Sequence, residues 1–366
     1  MNIRVFLYVS EITTNWRKFN LHNELERLGW NEHFEAHMVP YLDAGLKAGR
    51  VAAEHRGSYS LFMEQGETSA VITGKLRYHA NGREDYPAVG DWVVVKPEDD
   101  FASIQAILPR RSSFSRKEAG LVTEEQIVAA NVDTVFLVTA LNQDYNLRRI
   151  ERMLVLAWDS GANPVILLSK SDLCHDVQVK LNEVTSIAPG VPIHVISALD
   201  DSGLEELKSY IGHGQTVALL GSSGVGKSTL VNRLLGYDAM DVNAVRQGDD
   251  RGRHTTTHRE LLPLPTGGIV IDTPGMREFQ LWDDNGGLNS TFDDILVLSQ
   301  NCQFNDCRHR DEPGCAVRKA IQQGSLSDVR LQSYWKMERE LLYMERKIAK
   351  QQRNRERGNR RGRRRG

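Results

Sequence analysis

The 366-residue chain is poor in cysteine: it has four, and three of them fall between positions 302 and 315. A disulfide-built secreted scaffold is thereby excluded, and clustered thiols point instead to metal ligation. Long apolar runs are also missing. No stretch approaches the roughly 20 apolar residues that cross a bilayer, so no membrane role is expected. The opening Met1-Asn2-Ile3-Arg4-Val5-Phe6-Leu7 lacks a small-residue cleavage pattern, which argues against a secretory signal. A cytoplasmic protein is expected. Net charge is nearly absent too, at −2, but that figure hides an asymmetry. Residues 351–366 hold eight arginines and one glutamate, so a tail of +7 follows a body of −9. A basic arm on an acidic body suggests a polyanionic partner.

What is present is ordinary globular material, 40% hydrophobic and 26% charged, long enough for two or three domains. Residues 1–45 read as an extension with a short helical or irregular segment around Leu21, Leu25, Leu28, Trp30 and Phe34. Residues 46–112 carry five short β-rich runs, such as Asp91-Trp92-Val93-Val94-Val95. These predict a small closed barrel of oligonucleotide-binding (OB) type, with an SH3-like barrel as rival. The connection from Arg77 to Pro87, with His79 and Arg83, is a candidate nucleic-acid loop. Over residues 113–284, continuous apolar strands alternate with amphipathic helices. That pattern predicts a mostly parallel α/β sheet covered on both faces. Residues 285–350 combine the Cys/His cluster with a long helix, which Ser325 would cap with Asp328 in the reciprocal role. The basic tail, 351–366, follows.

The chemistry begins at Gly221-Ser222-Ser223-Gly224-Val225-Gly226-Lys227-Ser228. It matches G-x-x-x-x-G-K-S in full, after a predicted strand and before a predicted helix. Backbone N–H groups of Gly224, Val225 and Gly226 suit phosphate oxygens, Lys227 the β- and γ-phosphates, and Ser228 a magnesium ion, with Thr229 next in the helix. Asp272, at the end of the strand Gly267-Gly268-Ile269-Val270-Ile271, is positioned to hold magnesium through water. The N–H of Gly275, in Asp272-Thr273-Pro274-Gly275, can meet the γ-phosphate. Guanine selection needs a carboxylate for the base N1–H and exocyclic amine. Asp172 in Ser169-Lys170-Ser171-Asp172 is the candidate, with Lys170 laying its stem over the purine. Ser197-Ala198, after the next strand, can offer a backbone N–H to the base oxygen. In an ordinary GTPase the phosphate loop comes first; here the base-reading segments precede it.

Cys302, Cys307, His309 and Cys315 form C-x₄-C-x-H-x₅-C, three thiolates and an imidazole suited to one structural zinc ion. Arg308, Arg310, Arg318 and Lys319 border the cluster, as phosphate contacts or as a solvated face. Asp306, Asp311 and Glu312 read as solvated, and Cys174 as an isolated thiol.

The rotated motif order, the run Arg253-His254-Thr255-Thr256-Thr257, the segment Asp272 to Phe279 and the Cys/His cluster together resemble the small-ribosomal-subunit biogenesis GTPases, the circularly permuted RsgA family. The resemblance covers about residues 48–345. It implies an N-terminal OB barrel, a permuted GTPase domain and a C-terminal zinc domain. It also implies late action in small-subunit assembly, binding to ribosomal RNA and departure on GTP hydrolysis. The chain departs from the family's pattern at Ser169, where asparagine is usual. Serine cannot make both amide contacts, so weaker nucleotide affinity is expected.

Many GTPases place a water-orienting glutamine after Asp-x-x-Gly, but Met276 stands there. A thioether cannot orient water, so slow intrinsic turnover is expected, raised by a partner that orders the switch. His254 is the candidate to position water, and Thr255 or Thr256 to add a hydroxyl to magnesium. A monomer is expected. The alternatives are an RNA-binding assembly factor that uses guanine nucleotide as a conformational ligand, a permuted GTPase acting on another RNA, and a metabolic ATP-dependent kinase. Asp172 and the Thr273-Pro274-Gly275 turn argue against the kinase.

Overall fold

The computed structural model describes residues 24–117, 125–237, 260–272 and 286–362. Helix α1 (Glu32–Leu42) opens on Asn31, whose side chain accepts from the His33 N–H. Five strands follow: β1 (Lys47–Glu54), β2 (Tyr59–Met63), β3 (Gly66–Ile72), β4 (Trp92–Pro97) and β5 (Ala102–Ile107). They pair in the cyclic order β1-β2-β3-β5-β4-β1, with β3 and β5 parallel and the other pairs antiparallel. That order, closed by a parallel pair, is the OB barrel and not its SH3-like rival. Closure buries Val51, Leu61, Val93, Val95 and Ile104 inside. Outside, α1 lays Phe34 and Met38 on Trp92, against which Trp30 stands edge-on at 4.8 Å. A short helix, α2 (Gly74–His79), capped by the Thr73 hydroxyl, runs into the 77–87 connection.

Strands β6 (Ser113–Lys117) and β7 (Glu125–Ala130) form a separate antiparallel pair that the alternation pattern did not reveal. The parallel sheet then assembles from β8 (Thr134–Ala140), β9 (Asn163–Ser169), β10 (Ile193–Val195), β11 (Thr216–Leu220) and β13 (Ile269–Asp272), in the order β10-β9-β8-β11-β13. Every residue of β8 and β11 is buried, as expected for strands covered on both faces. Helix α3 (Leu147–Ser160) covers one face with Ile150, Met153, Leu154 and Ala157. Helix α4 (Val177–Ile187) adds Val184 and Ile187. Helix α5 (Lys227–Leu235) covers the other face with Leu230, Val231 and Leu235.

Antiparallel β12 (Glu260–Pro263) pairs with β13 and touches barrel strand β1 at Ala53↔Glu260, so one eleven-stranded sheet runs from the α/β unit into the barrel. Arg50 secures this junction from the barrel side. It donates to the carbonyls of Leu28, Gly90 and Asn131 and lies over Trp92. Burial lowers its pKa to about 10, which leaves it charged at neutral pH.

The C-terminal region is α6 (Gly287–Thr291), α7 (Asp293–Ser299), α8 (Ala316–Gln322) and α9 (Asp328–Gly362), packed around Phe292, Ile295, Val317 and Leu331. The cap expected at Ser325 is corrected. Ser325 donates its N–H and its hydroxyl to the Ala320 carbonyl and so finishes α8, while α9 begins at Asp328 after Ser327. Asp328 accepts from Arg318 and Gln332 instead. Among the described residues no helix is long and apolar enough to cross a membrane.

Candidate nucleotide site and metal cluster

The phosphate-loop segment leaves the C-terminal end of β11 and enters α5 at Lys227. Its glycines answer to geometry. A Cβ at Gly221 would sit 2.3 Å from the Val138 carbonyl oxygen, and Gly226 has φ +99°, where other residues are strained. Val225 is buried, whereas Ser223, Gly224 and Ser228 are exposed. The Lys227 ammonium arches back and donates to the carbonyls of Gly221 and Ser222, at 2.7 Å each.

Two strands away in the sheet, β9 ends at Ser169. The Ser169 hydroxyl is buried and donates to the Val225 carbonyl at 2.7 Å, with the Thr139 carbonyl further off at 3.3 Å. One hydroxyl proton serves the shorter bond. Serine therefore ties the base-side strand directly to the phosphate loop, although it makes a single strong contact. Lys170 takes the left-handed conformation (φ 59°), turning the chain so that Asp172 follows in a short 3₁₀ turn. The Ser197 hydroxyl donates to Asp172 Oδ1 at 2.9 Å. Ser197 is itself held by its N–H to the Ser202 carbonyl. The predicted residues Ser169, Lys170, Asp172, Ser197 and Ala198 are thus joined to one another and to the loop by direct hydrogen bonds or chain adjacency.

The backbone of Asp272 ends β13, which lies beside β11 in parallel register (Ala218↔Ile271). Gly275 and Met276, and the switch residues His254, Thr255 and Thr256, lie outside the described residues.

The Cys/His cluster forms where the loop after α7 meets α8. Its four ligand atoms, from Cys302, Cys307, His309 and Cys315, lie within 4.8 Å of one another and could hold a metal ion such as zinc. Nδ1 of His309 is 3.6 Å from Cys302 Sγ and 3.5 Å from Cys315 Sγ. Tetrahedral ligands about 2.0–2.3 Å from a zinc ion stand at such separations from one another, so the donor set fits. Burial lowers the His309 pKa and favours the neutral imidazole that ligates. Burial works against the Cys302 thiolate, yet N–H donors from Ala316 and Val317 and the neighbouring thiols bring its pKa down; the Cys307 thiol, by contrast, is pushed up to about 11. Sharing of one negative charge among close thiols explains the split, and a bound cation would remove it.

Glu312 is more than solvated: its carboxylate accepts from the N–H groups of Arg308 and Arg310 and braces the ligand loop. Arg310 and Arg318 lie over the Trp335 ring at 5.7 and 5.5 Å, and the Trp335 indole N–H donates to the Arg308 carbonyl. Cys174 is half-buried.

Sequence reasoning missed the residues that join the cluster region to the α/β unit. Glu151 on α3 is buried and receives Arg330 Nη1 at 2.9 Å and the Ser333 hydroxyl at 2.5 Å, both from α9. Arg152 and Glu340 add a two-toothed pair at 2.7 Å. A signal was present, since Glu151 lies one turn before Val155 on α3, and a carboxylate sharing a face with a core valine needs a partner.

Residues 107–282 match the family model described as RsgA GTPase. The chain is similar to the small ribosomal subunit biogenesis GTPase RsgA 2 of Lactiplantibacillus plantarum, 51% identical over 302 residues that make up 82% of this chain and 84% of that one. It is 45% identical to the small ribosomal subunit biogenesis GTPase RsgA of Opitutus terrae over 335 residues, 88% of this chain and 91% of that one. Among solved structures, YjeQ from Thermotoga maritima superposes with a TM-score of 0.61 at 29% identity, over 81% of this chain and 99% of that one. YloQ, described as a circularly permuted GTPase, shares the fold with a TM-score of 0.58 at 24% identity, over 81% of this chain and 95% of that one.

Proposed function

The chain belongs to the RsgA GTPase family, and we propose on that premise that it hydrolyses GTP while docked on the maturing small ribosomal subunit in the cytoplasm. The observation that carries the nucleotide reading is the hydrogen-bonded path from Asp172 through Ser197 on the base side, and from Ser169 to Val225 on the phosphate side. It makes one site out of segments that occur in rotated order along the chain.

In that site Asp172 accepts from the guanine N1–H and exocyclic amine, the Ala198 N–H meets the base oxygen, and the Lys170 stem covers the ring. Ser222, Ser223, Gly224, Val225, Gly226 and Thr229 surround the phosphates, and Lys227 reaches from the loop carbonyls it already caps to the phosphate oxygens. Ser228 and Asp272 are the residues we assign to Mg²⁺, whose charge offsets that of the phosphates when bound. Gly275 contributes an N–H, Thr255 or Thr256 a hydroxyl, and His254 orients the attacking water. Because Met276 cannot orient water, turnover is slow until a partner orders the switch.

We assign Cys302, Cys307, His309 and Cys315 to one structural Zn²⁺; all four positions are protein atoms, which leaves no open coordination site for catalysis. The barrel, the zinc region and the arginine tail supply the ribosomal RNA contacts, and hydrolysis releases the protein. We keep the division 1–45, 46–112, 113–284, 285–350 and 351–366 as the domain plan, and a monomer as the working state.

The test is steady-state GTP hydrolysis by the purified protein alone, with small subunits and with large subunits. A rise confined to small subunits supports the reading. Guanine nucleotide binding without any rise would turn it toward an RNA-binding switch or another RNA.

A further inference from the structure

We propose that Arg233 is a positioning residue for guanine recognition: from the helix that follows the phosphate loop, it pins the peptide that reads the base oxygen. The inference rests on the guanine site proposed above. Arg233 lies on α5, which starts at Lys227. Its Nε donates to the Ala198 carbonyl at 3.1 Å and lies 3.3 Å from Asp201 Oδ1. Asp201 has φ 60°, a left-handed conformation that non-glycine residues rarely adopt, and an ion pair holding its side chain helps to keep the loop in that shape.

The loop from 197 to 202 is tied at several points. The Ser197 N–H donates to the Ser202 carbonyl, the Ser197 hydroxyl to Asp172, the Leu199 N–H to the Ser197 hydroxyl oxygen, and the Ser202 N–H to Asp200. The Ser197 N–H bond holds the peptide before Ser197, and the peptide after Ala198 is held at both ends, its N–H by the Ser197 hydroxyl oxygen and its carbonyl by Arg233. The 197–198 peptide, which carries the Ala198 N–H, is set between these two held planes, so the direction of that N–H depends on both, and a hydrogen bond depends steeply on direction. The same helix carries Lys227 at one end and Arg233 six residues on, so one rigid element sets the distance between the phosphate grip and the base contact. Arg233 touches no reacting atom in this scheme and acts through Ala198.

The sequence carries no motif for this role, because the arginine lies outside both nucleotide signatures. Its side chain is about half exposed, as 46% relative accessibility indicates, so its contribution is direction and not fold stability.

The experiment compares the affinities of wild type, Arg233→Ala and Arg233→Lys for GDP, 6-thio-GDP, IDP and ADP by equilibrium titration. The sulfur analogue weakens only the base-oxygen contact; IDP removes only the exocyclic amine that Asp172 receives. Arg233→Ala is expected to lose about three- to tenfold in GDP affinity, the worth of one well-aligned hydrogen bond, with 6-thio-GDP nearly unchanged. The GDP-to-IDP ratio stays as in wild type, and lysine, which can still donate to the carbonyl, restores part of the loss. Equal losses for GDP and 6-thio-GDP, or no loss for either, would overturn the positioning role. If wild type fails to prefer GDP over ADP, the guanine site itself is wrong and the inference falls with it.

Discussion

Replacing Arg330 by methionine tests how the C-terminal region is held on the GTPase unit. Arg330 is 5% exposed and makes four polar contacts: Glu151 at 2.9 Å, Asp294 at 2.6 and 2.9 Å, and the Thr291 carbonyl at 2.7 Å. It also lies 4.8 Å from the centre of the Phe292 ring. Methionine fills comparable space, so the cost is electrostatic. Asp294 is 30% exposed and can be rehydrated, so it adds little. Glu151 is 4% exposed and cannot, so it is left as a buried carboxylate with Ser333 alone, a loss of about 3–5 kcal/mol. Glu151→Gln should cost less, about 1–2 kcal/mol, because Arg330 keeps Asp294 and Thr291.

The pH dependence gives a second readout. Burial already raises the Glu151 pKa, against the pull of Ser333 and Arg330. A carboxyl whose folded pKa lies above its unfolded value favours folding at low pH and loses that advantage as pH rises through the folded pKa. Without Arg330 the rise is larger, so the penalty of Arg330→Met should shrink between about pH 8 and about pH 5. Urea unfolding at both pH values, with hydrogen exchange of α9 to localise the loss, is the assay. A penalty under about 1 kcal/mol, or one that does not change with pH, would refute the reasoning.

Four further outcomes are expected. Chelation or Cys315→Ser should release one zinc per chain and expose the amides of α8, measured by metal analysis and hydrogen exchange; protection unchanged after metal loss would rule out a structural ion. Asp172→Asn should weaken GDP binding by about 2–3 kcal/mol, a loss of roughly 30- to 150-fold, while improving the relative binding of XDP, whose extra carbonyl accepts from the new amide. Glu340 has its pKa lowered by the Arg152 hydrogen bond; its stabilisation is full above the unfolded value of about 4.3 and lost as pH falls through the folded value, so an Arg152→Met penalty seen at neutral pH in urea unfolding should shrink as pH falls below about 4.3. Arg110→Met should cost about 3–5 kcal/mol in thermal or urea unfolding, because it leaves Asp91, a fully buried carboxylate held by Arg110 at 2.8 Å through two bonds, without its charged partner and with the Ala88 N–H as its remaining donor.

The sequence was most legible where a residue type admits few uses. The phosphate loop, the strand-end Asp172 and the four metal-type ligands follow from spacing and chemistry, and the structure brings each set together. The strands were readable because β8 and β11 are apolar but for their threonines and buried throughout, and only a sheet covered on both faces accepts that. The choice between OB and SH3-like barrels was not readable, since it depends on which strands pair, as in β3 with β5. The hairpin of β6 and β7 was missed because its residues are mixed in polarity. The Ser169 contact was readable only in part. Counting amide contacts gave the loss of one, whereas the hydroxyl's reach to Val225 depends on how closely β9 approaches the loop, which no local pattern encodes.

Rotation of the motif order has a physical consequence for how the appended regions communicate with the site. Along the chain the barrel strands come before the α/β unit, and the C-terminal helices come after β13. The barrel is then stitched to β12 through Ala53↔Glu260, and β12 pairs in turn with β13. The C-terminal helices hold α3 through Glu151 and Arg152. Each appended region therefore grips a different structural element of the α/β unit, one the strand β12 and the other the covering helix α3. RNA bound to the barrel would act on β12, and through it on β13 and Asp272, without passing through the zinc region. On this arrangement Arg330→Met should weaken subunit binding while sparing the hydrolysis rate of the bound fraction. A change that disrupts β1 beside Ala53 should instead lower the activated rate of protein that is already bound. Measuring single-turnover hydrolysis at saturating small subunits separates the two, and equal rates in both variants would show that the barrel seam carries no signal.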